Sequence, residues 1–183
     1  MKDQNALYNI LKIITPSGII IALVWHFLQI SFFINDWAQP GKTSLSLFFI
    51  QIISVSVLLF ISFRIYRIQF NDGFLSFGKC LRLGFLIGIS VAFFGILFFQ
   101  IYTNYINPSY EAWLQELHLQ SWTERGLSET EIQKQLATNR WLKTTNGMIY
   151  NLFFVLGLMT LFSVIPAFLN SRSNHKNHAT KIG

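Results

Sequence analysis

The sequence predicts an all-α integral membrane protein: four antiparallel transmembrane helices, with a helical hairpin between the third and the fourth. Three observations predict it. Four apolar stretches, 13–34, 45–63, 83–102 and 148–169, are each 19 to 22 residues long, the length a helix needs to cross a hydrocarbon layer of about 30 Å. None of the four contains Asp, Glu, Lys or Arg. Charged residues make up 12% of the chain against 52% hydrophobic ones, about half the charged share of an ordinary soluble domain.

The charges between the spans give the direction of threading. The N-terminus, the loop 64–82 and the tail 170–183 together carry nine Lys and Arg and two acids, whereas the first loop and the segment 107–147 carry five and six. Lys and Arg are retained on the cytoplasmic face, so both termini are expected there. The net charge of +6 is thus a topology signal rather than a nucleic-acid footprint, and no nucleic-acid partner is expected. Four spans leave no room for a second globular domain, so residues 1–183 read as one membrane domain whose first partner is the lipid bilayer. The lone Cys80 excludes a disulfide within the chain.

Span one, 13–34, opens at Pro16-Ser17-Gly18, which should bend or loosen its first turn. It is too long for a secretory signal, and no small-residue cleavage pattern follows it. Gln39-Pro40-Gly41-Lys42 reads as a short turn into span two, 45–63. Arg64 and Arg67 close that span and can extend their heads to the interface. Asn71-Asp72-Gly73 is a turn signal, and Phe74 to Gly78 is expected in the headgroup region. Span three, 83–102, carries Gly84, Gly88, Ala92 and Gly95 on one face, where small side chains let another helix backbone approach, in this chain or in a second copy.

In the segment 107–147, Tyr110, Trp113, Leu114 and Leu117 form the stripe of an amphipathic helix. Gly126 can close it in a left-handed conformation. Ser128 and Glu131 then make a capping box, with Leu127 and Ile132 as its hydrophobic staple. Trp113, Trp122 and Trp141 suit an interfacial position.

His26 is the one titratable side chain deep in a span, which makes it a functional candidate. Depth arithmetic places it level with Ser54, and Gln29 level with Gln51. Two polar contacts between spans one and two are therefore expected, with a transport or proton site as the other reading. His175 and His178 lack a third ligand, Cys80 lacks a His partner, and the loop acids fit no hydrolase arrangement. No metal, cofactor or catalytic residue is implied.

Tyr66-Arg67, then Gly73-Phe74-Leu75-Ser76-Phe77-Gly78-Lys79 and Gly84, resembles the cytoplasmic motif of the family catalogued as domain of unknown function 4199. Ile101 to Pro108 and Gly126-Leu127-Ser128 with Glu131-Ile132 resemble the same family. The resemblance runs from the first span to Ala167. Such proteins are small four-helix membrane proteins found mostly in Bacteroidota. That implies the bacterial inner membrane, with the hairpin in the periplasm. Pro166 and the pair Trp25-His26 depart from the family pattern, so it assigns no role to His26. The family has no established activity and implies no catalytic residue. The expected function is a non-enzymatic membrane interaction or scaffold module, with a membrane-protein partner or a homo-oligomer. The alternative is a small transporter or pore subunit lined by His26, Gln29 and Gln51.

Overall fold

The computed structural model describes residues 2–34, 43–142 and 145–171. All its regular elements are helices: α1 (Lys2–Ile34), α2 (Thr43–Phe70), α3 (Phe77–Ile101), a π-helical turn (Tyr102–Ile106), α4 (Tyr110–Glu124), α5 (Glu129–Leu142), α6 (Thr145–Phe162) and α7 (Val164–Asn170). The expected turn at 39–42, Trp141 and the tail histidines lie outside the described residues or side chains.

Four stretches are long and apolar enough to cross a membrane: Ile10–Phe32, Leu45–Phe70, Phe77–Ile106 and Asn146–Asn170. Only 22–28% of the most apolar part of each is buried within the chain. Large side chains such as Phe93 (63% exposed), Phe153 (67%) and Phe168 (74%) point outward. An apolar surface this extensive needs lipid rather than water around it.

The helices extend past the expected boundaries, α1 back to Lys2 and most consequentially α2 and α3 on either side of the second loop. α2 continues through Arg64 and Arg67 to Phe70, and α3 begins at Phe77, so the connection is 71–76 rather than 64–82. The cations do not end the helices because their long stems let the charged heads leave the apolar layer while the backbone stays helical. Within the connection, Asp72 and Gly73 both adopt positive φ, the Phe74 N–H donates to Asn71 O over 2.9 Å, and Asn71 Nδ2 donates to Phe74 O. The reversal is tight enough to turn Leu75 inward, where it is fully buried instead of lying among headgroups. Ser76 then caps α3, its hydroxyl accepting from the Lys79 N–H.

The core forms at helical spacing on every span: Ile14 and Ile21 on α1; Val55, Leu59 and Phe63 on α2; Leu83, Ile87 and Val91 on α3; Met159 and Phe162 on α6. α3 is central, with its most extensive packing against α1 and further contact with α6 and α7. α1 remains helical through Pro16. Near it, Ser17 Oγ lies 2.8 Å from Ser62 Oγ. Ser62 donates its own hydrogen to Leu58 O, so Ser17 is the donor to Ser62.

Span four is divided at Ser163. Pro166 has no N–H for Phe162 O and its ring crowds that carbonyl, so regular winding stops there and restarts as α7. At the other end of α3, the last turn widens into the π-helix, with Asn107 N–H donating to Tyr102 O at 2.7 Å. Pro108 disfavours α-helical geometry at Asn107, whose φ of −140° and ψ of 80° end the span.

Candidate functional site

The intramembrane polar residues His26, Gln29, Gln51 and Ser54 stand on α1 and α2, and their contacts reach a third helix. His26 Nε2 lies 3.1 Å from Gly95 O on α3, and because a carbonyl only accepts, Nε2 carries the hydrogen. The imidazole stacks on Phe98 at 5.1 Å between ring centroids, with Gln29 as its polar neighbour one turn along α1. The expected partner Ser54 is half-buried on α2 and is not bonded to His26. Equal depth fixes height in the membrane but not the direction a side chain takes, and the His26 side of α1 faces α3. Gln51 does join α1 to α2, but its Nε2 donates to Trp25 O at 3.4 Å rather than to Gln29.

Double substitution tests this placement. His26→Ala should cost about 0.6–1.7 kcal/mol, the range for hydrogen bonds between membrane helices. Combined with Ser54→Ala, the losses should add to within about 0.5 kcal/mol, as read by unfolding in micelles. Two cavities among the described residues also bypass these side chains. One, of about 130 Å³, is lined by apolar side chains of α1 and α3 including Leu23, Phe94 and Phe98; the other lies on α3 alone.

The small residues of α3 meet neighbours within the chain. A Cβ on Gly84 would overlap Ser163 Oγ and lie 3.3 Å from the Phe63 ring. One on Gly88 would lie 3.0 Å from Met159 Cβ, and one on Gly95 3.6 Å from His26 Nε2. Ala92 is buried beside them. Gly84 and Gly88 thus admit the last span, and Gly95 admits α1.

Rings continue from His26 along α3 to α4. Phe98 stacks on Tyr102 at 6.4 Å, Tyr102 meets Tyr110 edge-on at 5.3 Å, and Tyr110 lies 5.8 Å from Trp113. Asn107 Nδ2 donates to Tyr102 Oη at 3.1 Å. Burial, then the Tyr102 hydroxyl, raises the Tyr110 pKa above its usual value, so it stays a neutral phenol. His118 stacks on Trp122 at 5.6 Å, and burial lowers its pKa.

The α4–α5 connection is built from local capping. Gly126, at φ +71°, donates its N–H to Thr123 O at 2.9 Å, while the Leu127 N–H reaches Trp122 O at 3.1 Å; the two bonds together form a Schellman close. The Ser128 N–H donates to Glu131 Oε2 at 2.8 Å, and Ser128 Oγ accepts from the Glu131 N–H at 3.4 Å. Leu127 and Ile132, the staple positions, are half-buried. The two helices have no extended mutual packing among the described residues, so the connection rests on its caps.

The hydrogen bonds from Ser128 hold the Glu131 pKa below its usual value. A depressed pKa adds stability that is complete above the unfolded value, near 4.3, and disappears as pH falls through the folded one. Protection of the amides in the first turn of α5, taken relative to their intrinsic exchange rates, should therefore fall below about pH 4.3. Ser128→Ala should abolish that acid step and weaken the cap by about 1 kcal/mol.

Sequence reading missed one polar junction. Arg67 Nη1 donates to Asn170 O at 3.0 Å. The Asn170 side chain is almost fully buried and donates to Phe60 O at 3.3 Å and to Pro166 O at 3.1 Å. Two of these bonds, Arg67 to Asn170 O and Asn170 to Phe60 O, fasten the end of α7 to α2. The available signal was an amide directly following an apolar span, opposite an Arg on the same side of the membrane.

No protein of curated function and no solved structure matches this chain. A family model described as protein of unknown function DUF4199 matches residues 17–172. It covers α2 to α7 and most of α1, including the Arg67–Asn170 junction, the glycine face and the capped connection, and the chain belongs to that family.

Proposed function

We propose that this protein is a non-enzymatic interaction module of the bacterial inner membrane, whose outer segment 107–147 docks another protein. In this reading the four spans run antiparallel, both termini are cytoplasmic, and α4 and α5 stand in the periplasm. Support for the antiparallel order comes from contacts between α1 and α2, where Ser17 pairs with Ser62 and Trp25 with Gln51; the numbering rises on one helix as it falls on the other. Support for the orientation comes from the excess of Lys and Arg in the termini and beside the 71–76 turn.

One observation carries the docking role. The glycine face of α3, the other surface suited to a partner, is filled by Ser163, Met159 and His26 of the same chain. What remains outside the apolar spans is the α4–α5 segment, where α5 exposes Glu129, Gln133, Lys134 and Arg140.

Site-specific photo-crosslinking in living cells tests the reading. A crosslinker at Gln133 should yield a discrete heavier adduct with one protein, and a crosslinker at outward-facing Phe153 should not. Absence of any protein adduct from Gln133 and Lys134 would contradict it.

A further inference from the structure

We propose that the outward face of α3 next to Arg82 binds an anionic phospholipid, with the lipid phosphate on the Arg82 guanidinium and an acyl chain along the helix. A shallow, open depression of about 400 Å³ on this face is lined by Leu81, Arg82, Phe85 and Leu86. Phe85 at its edge is followed by Ile89 and Phe93, exposed at successive positions of one helical face. From Arg82 to Ile96 that face extends about 21 Å, long enough for an acyl chain lying parallel to the span.

Charge selects the headgroup. Arg82 is the first cation met on leaving the apolar part of α3, and Lys79 stands one turn beyond it; both are exposed. Neither forms an ion pair among the described residues. Arg67, by contrast, already gives its head to the Asn170 carbonyl. A bare guanidinium above an apolar depression matches a ligand with a phosphate monoanion at one end and hydrocarbon at the other. The chain's own tail is a poor competitor, since 171–183 carries Arg172, Lys176 and Lys181 and no acid. The inference concerns a different surface from the docking segment and does not depend on which face of the membrane is cytoplasmic.

Native mass spectrometry of the full chain, released from micelles holding equal dioleoyl-phosphatidylglycerol and dioleoyl-phosphatidylcholine, tests it. Phosphatidylglycerol adducts should exceed phosphatidylcholine adducts about fivefold, the effect of one cation near an anionic headgroup. Arg82→Gln should bring the two lipids toward parity, and Arg82→Lys should keep most of the excess. Arg64→Gln, which removes an exposed cation of α2 outside the depression, should leave the excess unchanged, and millimolar inorganic phosphate should not displace the lipid. Equal retention of the two lipids by the native chain, or an excess that survives Arg82→Gln, would overturn the proposal. An equal loss in Arg64→Gln would replace it with diffuse attraction, and displacement by phosphate would replace it with a site for the free anion.

Discussion

Gly84→Val should destabilise the protein by about 3 kcal/mol, at the upper end of what overpacking a tight contact costs. Membrane helices are held together by close packing rather than by escape from water, and at Gly84 the approach is too close for any side chain. The Ser163 Oγ occupies the position of the added carbon, and Ser163 Cβ would stand 2.7 Å from it. Ser163 cannot turn aside freely, because its hydroxyl donates to Met159 O at 2.7 Å and it is fully buried at the α6–α7 break. Gly157→Val, on α6 with nothing within 4 Å of its position, should change stability by no more than about 0.5 kcal/mol. Unfolding in micelles reads both. The pair Gly84→Ala with Ser163→Gly should recover part of the loss of Gly84→Ala alone, since the second change removes the overlapped atoms. Equal losses at Gly84 and Gly157 would show that these contacts do not hold the helices.

Arg67→Met should cost about 2 kcal/mol, the usual range for a hydrogen bond from a charged donor, although Met keeps most of the apolar stem. The guanidinium is placed where the backbone carbonyls at the end of α7 concentrate negative charge. Its removal leaves Asn170 O without that donor in a poorly hydrated place. Arg64→Met, which removes an exposed cation one turn earlier, should be close to neutral. Asn170→Ala should cost about 1–2 kcal/mol by losing the bonds to Phe60 O and Pro166 O. Both damaging variants should free the end of α7 first, so limited proteolysis after Leu169 should accelerate before the helices unfold. Unchanged proteolysis in Arg67→Met would contradict the junction.

The features readable from sequence are those fixed within a few residues. Span number follows from apolar length, and the α4–α5 connection from the capping residues at Gly126, Ser128 and Glu131, each acting across three to five positions. The ends of α2 and α3 were less legible because Arg64, Arg67, Lys79 and Arg82 resemble loop residues in composition, while a helix can carry their stems through the interface. The partners of His26 and Arg67 were not legible at all. The first lies 69 residues away on α3 and the second 103 residues away on α7, and nothing local in the chain selects one neighbouring helix over another. The π-helical turn at Tyr102–Ile106 was likewise not legible, since no local sequence pattern marks it.

Cysteine labelling in spheroplasts tests the threading of the chain most directly. With Cys80 replaced by Ala, single cysteines at Thr138 and Gly183 are exposed to a membrane-impermeant maleimide before and after permeabilisation. Thr138→Cys should react in intact spheroplasts, and Gly183→Cys only once the membrane is opened. Reaction of Gly183→Cys from outside, or protection of Thr138→Cys until permeabilisation, would contradict this threading.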